Sequence, residues 1–370
     1  PLTWTPSHLF LYLHAGLDAI QDQDSNDASL PRPARDYMNE ALERGWTYPK
    51  PAAGNPPRVL ITSGCNPLRR WPSPQIVEKV LWPKLRMIAT LDFRASTTGM
   101  KADLLLPAAG YYEKLGIKYA VALAPYVVVG EQAVAPLGES KSEWEIISLL
   151  AKRIQERARE RGIEGGLTEV YDQFSMNGTY GPKDEAKVVD RILQLSTVTG
   201  GVGWEEARKA GAIPVASAGG WGITSGIGSE VEPGGMLTPS RIHVEEKHAW
   251  PTLTGRQQFY LDHPWFFEAD EVLPRFRPLP RPGGEHPILL SSAHNRWSIH
   301  AIWRSHPELL RLQRGEPVMW ISVEDAAARG IRDGARMRVW NDHGSFQIGA
   351  KVTPAMPSGE ALVYHCLLYT

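Results

Sequence analysis

Three short apolar runs, each closing on small or acidic residues, constrain this chain more than any other feature. They read RVLIT (58–62), LRMIATLD (85–92) and ADLLLPAA (102–109). Apolar runs of this length, bounded by turn residues, fit strands buried on both faces, as in a parallel sheet. IVEKVLW (76–82) reads as a helix between the first two. Strand, helix, strand, loop, strand is the order of a doubly wound, mostly parallel, Rossmann-like α/β sheet. Such sheets bind ligands at the carboxyl ends of their strands, which directs attention to residues just after Thr62 and Leu91.

Around this unit the periodicity is helical. SHLFLYLHAGLDAI (7–20), with Ser7 as N-cap, and ARDYMNEALERGW (34–46), with Tyr37, Ala41 and Leu42 at helical spacing and a stop at Gly45, flank a polar loop at 21–33. EWEIISLLAKRIQERARERG (143–162) places Trp144, Ile147, Leu150, Ala151 and Ile154 on one face of an amphipathic helix. DEAKVVDRILQLS (184–196) is a second such helix, and WEEARKAGAIP (204–214) a short third stopped by Gly211 and Pro214. Residues 215–238 are glycine-rich and aperiodic. RFRPLPRPGGEHP (275–287) is a Pro/Gly/Arg linker and predicts a boundary between a 1–275 α/β domain and a 276–370 domain. Beyond it PILLSS, PVMWIS, ARMRVWND, GSFQIGAKVTP and GEALVYH read as short strands, with one helix at VEDAAARGI (323–331). That pattern predicts a small β-barrel of the six-stranded type containing one helix.

Composition removes several function classes. Forty Lys+Arg against 41 Asp+Glu give a net charge of −1, without the basic excess of a nucleic-acid binder. No apolar run approaches the ~20 residues of a membrane helix, so no direct membrane span is expected. The opening PLTWTPSHLF carries no basic n-region, so no signal peptide is expected in this stretch. Two cysteines, Cys65 and Cys366, can neither frame a disulfide scaffold nor hold an iron–sulfur cluster alone.

Two constellations carry chemistry. Ser63, Gly64, Cys65 and Asn66 follow the first strand: small residues let a ligand approach the backbone, and the Asn amide can bond a base or ribose. Asp92 ends the second strand, where an acid can accept from ribose hydroxyls or a guanine edge; an ordinary Asn-Pro turn and a turn acid are the plainer alternatives. G-x-G-x-x-G and Walker-type loops are absent. The second constellation is SSAHNRWSIH (291–300), dense in donors around one flat ring, which suits an anionic, planar, heteroatom-rich ligand; a purely structural loop is the alternative. The spacing of His294 and His300, with no Cys or carboxylate nearby, speaks against zinc. NDHG (341–344) reads as a hairpin turn. No nucleophile elbow, reactive cysteine or acid pair stands out, and Glu113 and Lys114 give none.

TLDFRASTTGMKADLLLPAAGYYEK (90–114) resembles the D-F…AD-x-x-LP-A…EK segment of the dimethyl sulfoxide reductase superfamily of molybdenum enzymes. The stretch from SSAHNRWSIH to WNDHGSF (291–346) resembles their C-terminal molybdopterin-dinucleotide-binding domain. HNRWSIH and LGESKSEWEI (137–146) are most similar to the branch of nitrate, chlorate, perchlorate and selenate reductases, dimethyl sulfide dehydrogenase and ethylbenzene-type dehydrogenases. The resemblance runs over 58–364 and is weakest at 162–240.

It implies a bis(molybdopterin guanine dinucleotide) cofactor with molybdenum, serving oxygen-atom transfer or hydroxylation in anaerobic respiration. By matching positions, Ser63, Gly64, Asn66 and Asp92 would meet one guanine nucleotide, with Thr97 and Thr98 near it. His294, Arg296, Trp297, Ser298 and His300 would surround pterin and diphosphate, and Asn341 would reach the pterin edge. The family's [4Fe-4S] ligands and molybdenum-binding aspartate lie in an N-terminal part with no counterpart here, so neither a catalytic residue nor a metal ligand is expected in this chain. The ending YHCLLYT also departs from the family's Y-H-G-W-E. The expectation is therefore a C-terminal fragment, inactive alone, partnered by the N-terminal half of the catalytic subunit, an iron–sulfur beta subunit and a haem b gamma subunit. By the same analogy it sits in the periplasm after twin-arginine export, or on the cytoplasmic face of the inner membrane. The competing reading is a non-catalytic dinucleotide-binding accessory or assembly module.

Overall fold

The structure is a computed structural model that describes residues 30–46, 56–71, 74–119, 126–196, 199–214, 241–250, 252–276, 285–297, 306–312, 314–342 and 344–364. The chain divides into two compact units, Pro1–Pro274 and Arg275–Thr370. The expected helix at 7–20, the glycine-rich stretch at 215–238 and most of the linker lie outside the described residues.

In the first unit, helix α1 (Ala34–Glu43) precedes strand β1 (Val59–Ser63), helices α2 (Pro67–Arg70) and α3 (Pro74–Val80), strand β2 (Met87–Asp92), helix α4 (Thr97–Met100) and strand β3 (Leu104–Pro107). The strands pair in parallel in the order β1-β2-β3, with Ser63 opposite Leu91 and Asp92 opposite Pro107. Ile88, Ala89, Thr90 and Leu91 of the central strand are buried, as a continuous apolar run requires, and the Thr62 hydroxyl donates to Thr90 at 3.2 Å. Val77 and Leu81, in the crossover from β1 to β2, pack with Leu68. The order of the described strands never reverses, so the doubly wound arrangement is met only in part. β1 is an edge of this sheet, with Val59 and Ile61 exposed.

A second sheet follows that the sequence reading does not anticipate. Strands β4 (Gly116–Tyr119) and β5 (Tyr126–Gly130), helices α5 (Glu143–Glu160), α6 (Val170–Phe174), α7 (Glu185–Leu195) and α8 (Trp204–Ala210), and strand β6 (Ala212–Pro214) build it in the antiparallel order β4-β5-β6. Val127, Val129 and Ile213 close a core with Val189, Leu193, Trp204 and Ala207 from α7 and α8.

Helix α5 corrects the expected packing face. Ser142 caps it, its hydroxyl accepting from Glu145 N–H at 3.2 Å. Its buried residues are Ile146, Ser148, Ala151, Gln155 and Ala158, whereas Ile147 and Ile154 are 41% and 42% exposed. The cause is polar. Gln155 Oε1 accepts from Tyr171 and Asp172 N–H at 2.9 and 3.0 Å and its Nε2 donates to Asp172 Oδ1 at 3.0 Å, which turns this polar position inward toward α6. Helices α9 (Arg241–Val244) and α10 (Pro264–Glu268) complete the unit. Trp265 of α10 meets Tyr37 and Trp46 edge-on and donates to Glu40 at 2.9 Å, while Phe266 and Phe267 stay exposed.

The second unit contains β7 (Leu289–Ala293), α11 (Pro307–Arg311), β8 (Val318–Ile321), α12 (Val323–Ala328), β9 (Arg336–Asn341), β10 (Gly344–Val352) and β11 (Glu360–Tyr364). Its mixed sheet, ordered β7-β11-β8-β10-β9, curls into a half-barrel over Met319, Met337, Ile348, Ala350, Ala361 and Val363. Five strands stand among the described residues where six are expected. Asp325 ties the helix to the sheet: Oδ2 accepts from Gly359 N–H at 2.7 Å and the Ser322 hydroxyl at 2.8 Å, and Oδ1 from Arg329 at 3.0 Å. These bonds hold its carboxyl below the usual range, the Gly359 N–H contributing most. Among the described residues no helix is long and apolar enough to cross a membrane.

Candidate functional site

In the first unit the candidates gather at the carboxyl edge of β1 and β2. Gly64 takes φ 59°, a left-handed conformation suited to glycine, and its N–H donates to Leu91 O at 3.1 Å. This keeps the turn after β1 beside the end of β2. Ser63, Gly64 and Thr97 are exposed, and Asn66 and Asp92 are half-buried.

Asn66 and Thr98 are coupled across 32 positions. Thr98 N–H and Thr98 Oγ1 both donate to Asn66 Oδ1, at 3.1 and 2.6 Å, and Thr98 Oγ1 accepts from Leu68 N–H at 3.1 Å. Thr98 is fully buried, so it supports the site from behind rather than lining it. Ser96, which the sequence reading passed over, caps α4 by accepting from Gly99 N–H at 3.2 Å. Asp92 Oδ1 accepts from Arg94 N–H at 3.2 Å, so the turn-acid role is real. Burial nevertheless pushes its carboxyl pKa up against the Arg94 and Phe93 N–H groups that favour the charge. Burial likewise pushes the Cys65 thiol up, with Arg70 opposing, which disfavours the thiolate.

Glu113 and Lys114 are structural. Glu113 accepts from Gly110 N–H at 2.7 Å and Leu137 N–H at 3.3 Å, and Lys114 pairs with Glu143 at 2.5 Å.

In the second unit the loop after β7 is exposed at His294, Arg296 and Trp297. It is shaped by Asn295, a residue the sequence reading did not single out: it is 8% exposed and its Oδ1 accepts from Trp297 N–H at 2.8 Å. An Asn just after a strand is the available signal for such a turn. Arg296 lies 5.0 Å from the Trp297 ring and has no ion-pair partner among the described residues. Asn341 closes the β9–β10 hairpin, accepting from Gly344 N–H at 3.1 Å. His286 meets neighbouring Asp342 at 3.2 Å and stands edge-on to Trp340. Ser298 and His300 lie outside the described residues, as does Cys366.

Residues 41–153 match the family described as Molybdopterin oxidoreductase, and residues 288–369 match the Molydopterin dinucleotide binding domain. The chain belongs to the molybdopterin oxidoreductases. It is 33% identical over 97% of its length to the respiratory nitrate reductase subunit alpha of Haloferax mediterranei. It is 32% identical over 90% of its length to the dimethylsulfide dehydrogenase subunit alpha of Rhodovulum sulfidophilum. The chain spans 38% and 36% of these two relatives. The fold is similar to that of acetylene hydratase from Pelobacter acetylenicus, with a TM-score of 0.58, 17% identity, and coverage of 98% of this chain and 46% of that one.

Proposed function

We propose that this chain is the cofactor-binding C-terminal part of a molybdenum oxidoreductase alpha subunit that holds a bis(molybdopterin guanine dinucleotide). The observation that carries the reading is the strand edge of the first unit, where Asn66 Nδ2 has no partner among the described residues while its Oδ1 is doubly bonded. Beside it Asp92 can accept. This donor set fits a nucleotide base or ribose. Arg296, without an ion-pair partner among the described residues, fits a diphosphate, with Trp297 against its guanidinium.

In this reading Ser63 and Gly64 let the nucleotide approach the backbone, Asn66 and Asp92 orient it, and Thr97 borders it. His294, Arg296, Trp297, Ser298 and His300 hold diphosphate and pterin, with Asn341 at the pterin edge. The bound group would supply oxygen-atom transfer or hydroxylation at molybdenum; the residues of this chain bind and orient it. A relative named as a reductase and another named as a dehydrogenase leave both directions of electron flow within the proposal. It includes an N-terminal part bearing the molybdenum ligand and a [4Fe-4S] cluster, iron–sulfur beta and haem b gamma subunits, and a periplasmic location. It also includes a doubly wound sheet continued past the exposed β1 edge and a closed six-stranded barrel.

The test is co-expression with the N-terminal part of a related alpha subunit, followed by assay of molybdenum and acid-released GMP in the purified complex. Both in comparable amounts are expected. A soluble complex holding neither rejects the proposal.

A further inference from the structure

The hydrogen bonds on Asn66 fix more than its position. A backbone N–H can only donate, so the Asn66 atom that meets Thr98 N–H is the carbonyl oxygen, and the amide cannot be flipped without placing two donors face to face. The Thr98 hydroxyl has one proton and gives it to the same oxygen, because its own oxygen accepts from Leu68 N–H. Both lone pairs of Asn66 Oδ1 are used. The other branch of the amide, Nδ2 with two protons, has no partner among the described residues.

We infer that Thr98 is a positioning residue that locks the polarity of the Asn66 amide, so that Asn66 itself offers a donor and no acceptor and selects a ligand presenting an acceptor to it. The inference rests on the proposed reading of this edge as a nucleotide site. Asp92, just past Leu91 on the neighbouring strand, supplies the complementary acceptor. A 6-oxopurine edge carries a carbonyl acceptor beside an N–H donor. A 6-aminopurine carries the reverse, and its amino group would meet Nδ2 donor to donor. The locked amide therefore discriminates between the two bases without Thr98 touching either.

The experiment uses the full chain with GMP and AMP as probes, binding measured by calorimetry, in wild type, Thr98→Val, Thr98→Ser and Asn66→Asp. GMP is expected to bind about tenfold more tightly than AMP, the scale of one hydrogen bond kept against one lost. Thr98→Val should narrow the ratio to about threefold or less, and Thr98→Ser, which keeps the hydroxyl, should restore it. Asn66→Asp, nearly isosteric, should abolish it. In parallel, the ¹⁵N-resolved Asn66 side-chain NH₂ signal, assigned by its loss in Asn66→Asp, should be ordered in wild type and Thr98→Ser and measurably less ordered in Thr98→Val, which keeps only the backbone N–H bond to Oδ1. An unchanged GMP/AMP ratio in folded Thr98→Val overturns the inference. If neither nucleotide binds, the nucleotide reading falls, and the NMR arm judges the lock alone: an unaltered Asn66 signal in Thr98→Val overturns it.

Discussion

The strand edge of the first unit and the loop after β7 in the second are built on opposite plans. At the strand edge, the candidate polar groups are held by buried partners: Thr98 holds Asn66, and Gly64 is tied to Leu91. In the loop, Asn295 fixes the backbone of Trp297, while Arg296 and Trp297 extend into solvent. One region keeps few, fixed, directional groups, the requirement for reading a base edge. The other keeps a long cation and a flat ring on a pinned backbone, the requirement for gripping charge. A charge contact tolerates adjustment of the side chain; a base contact loses its selectivity if the amide turns.

The largest effect that would sharpen this contrast is expected from Arg296→Ala. Because the side chain is exposed and unpaired among the described residues, thermal stability should stay within the small range of surface substitutions. Retention of the dinucleotide in the co-expressed complex should fall roughly tenfold to a hundredfold, the scale of a lost charged hydrogen bond. A melting scan beside a molybdenum assay checks both halves, and full molybdenum content would break the contrast. Asn66→Ala comes next and should behave in the opposite way. It strands two Thr98 donors and should cost about 1–3 kcal/mol in denaturant unfolding before any ligand is added.

Asp92→Asn should be smaller and opposite in sign. Burial raises the Asp92 pKa, so the protonated form favours the fold and wild type loses stability as pH rises through the folded-state value. The neutral Asn avoids this loss. The variant should be more stable at pH 7 by on the order of a few tenths of a kcal/mol, since solvent screens the partly exposed carboxylate. The gain should vanish below the carboxylate's ordinary pKa of 3.8. Equal stability at both pH values would show that the charge costs nothing where it stands. Trp297→Ala should be smallest in stability, within about 0.5 kcal/mol by the same unfolding assay.

Local residue chemistry made some of this legible in the sequence and hid the rest. The run ending at Asp92 could be read as a parallel strand because burial on both faces leaves no alternation to confuse with a helix, and the run ending at Ser63 carries the same apolar pattern although it forms an exposed edge. The sheet at β4–β6 went unread although Tyr126–Gly130 is rich in β-branched residues, because its partners Gly116–Tyr119 and Ala212–Pro214 are short and distant. The face of α5 was misjudged because Gln155, polar and outward by pattern, is drawn inward by the backbone of α6. At the site, Asn66 and Asp92 announce themselves by following strands. The role of Thr98 depends on a hydroxyl meeting an amide 32 residues away, and no local period encodes that.

Gly64 offers a way to separate host from guest. Its left-handed backbone makes any side chain there strained, yet among the described residues a methyl group grafted onto it would find no atom within 4 Å beyond its own chain neighbours. Alanine and asparagine at this position share the conformational penalty, which asparagine tolerates better. Harm to ligand retention that grows with the bulk of the replacement while stability does not would report a collision with a molecule resting against the turn. Graded substitution at one glycine thus becomes a gauge of how closely an occupant lies to the main chain.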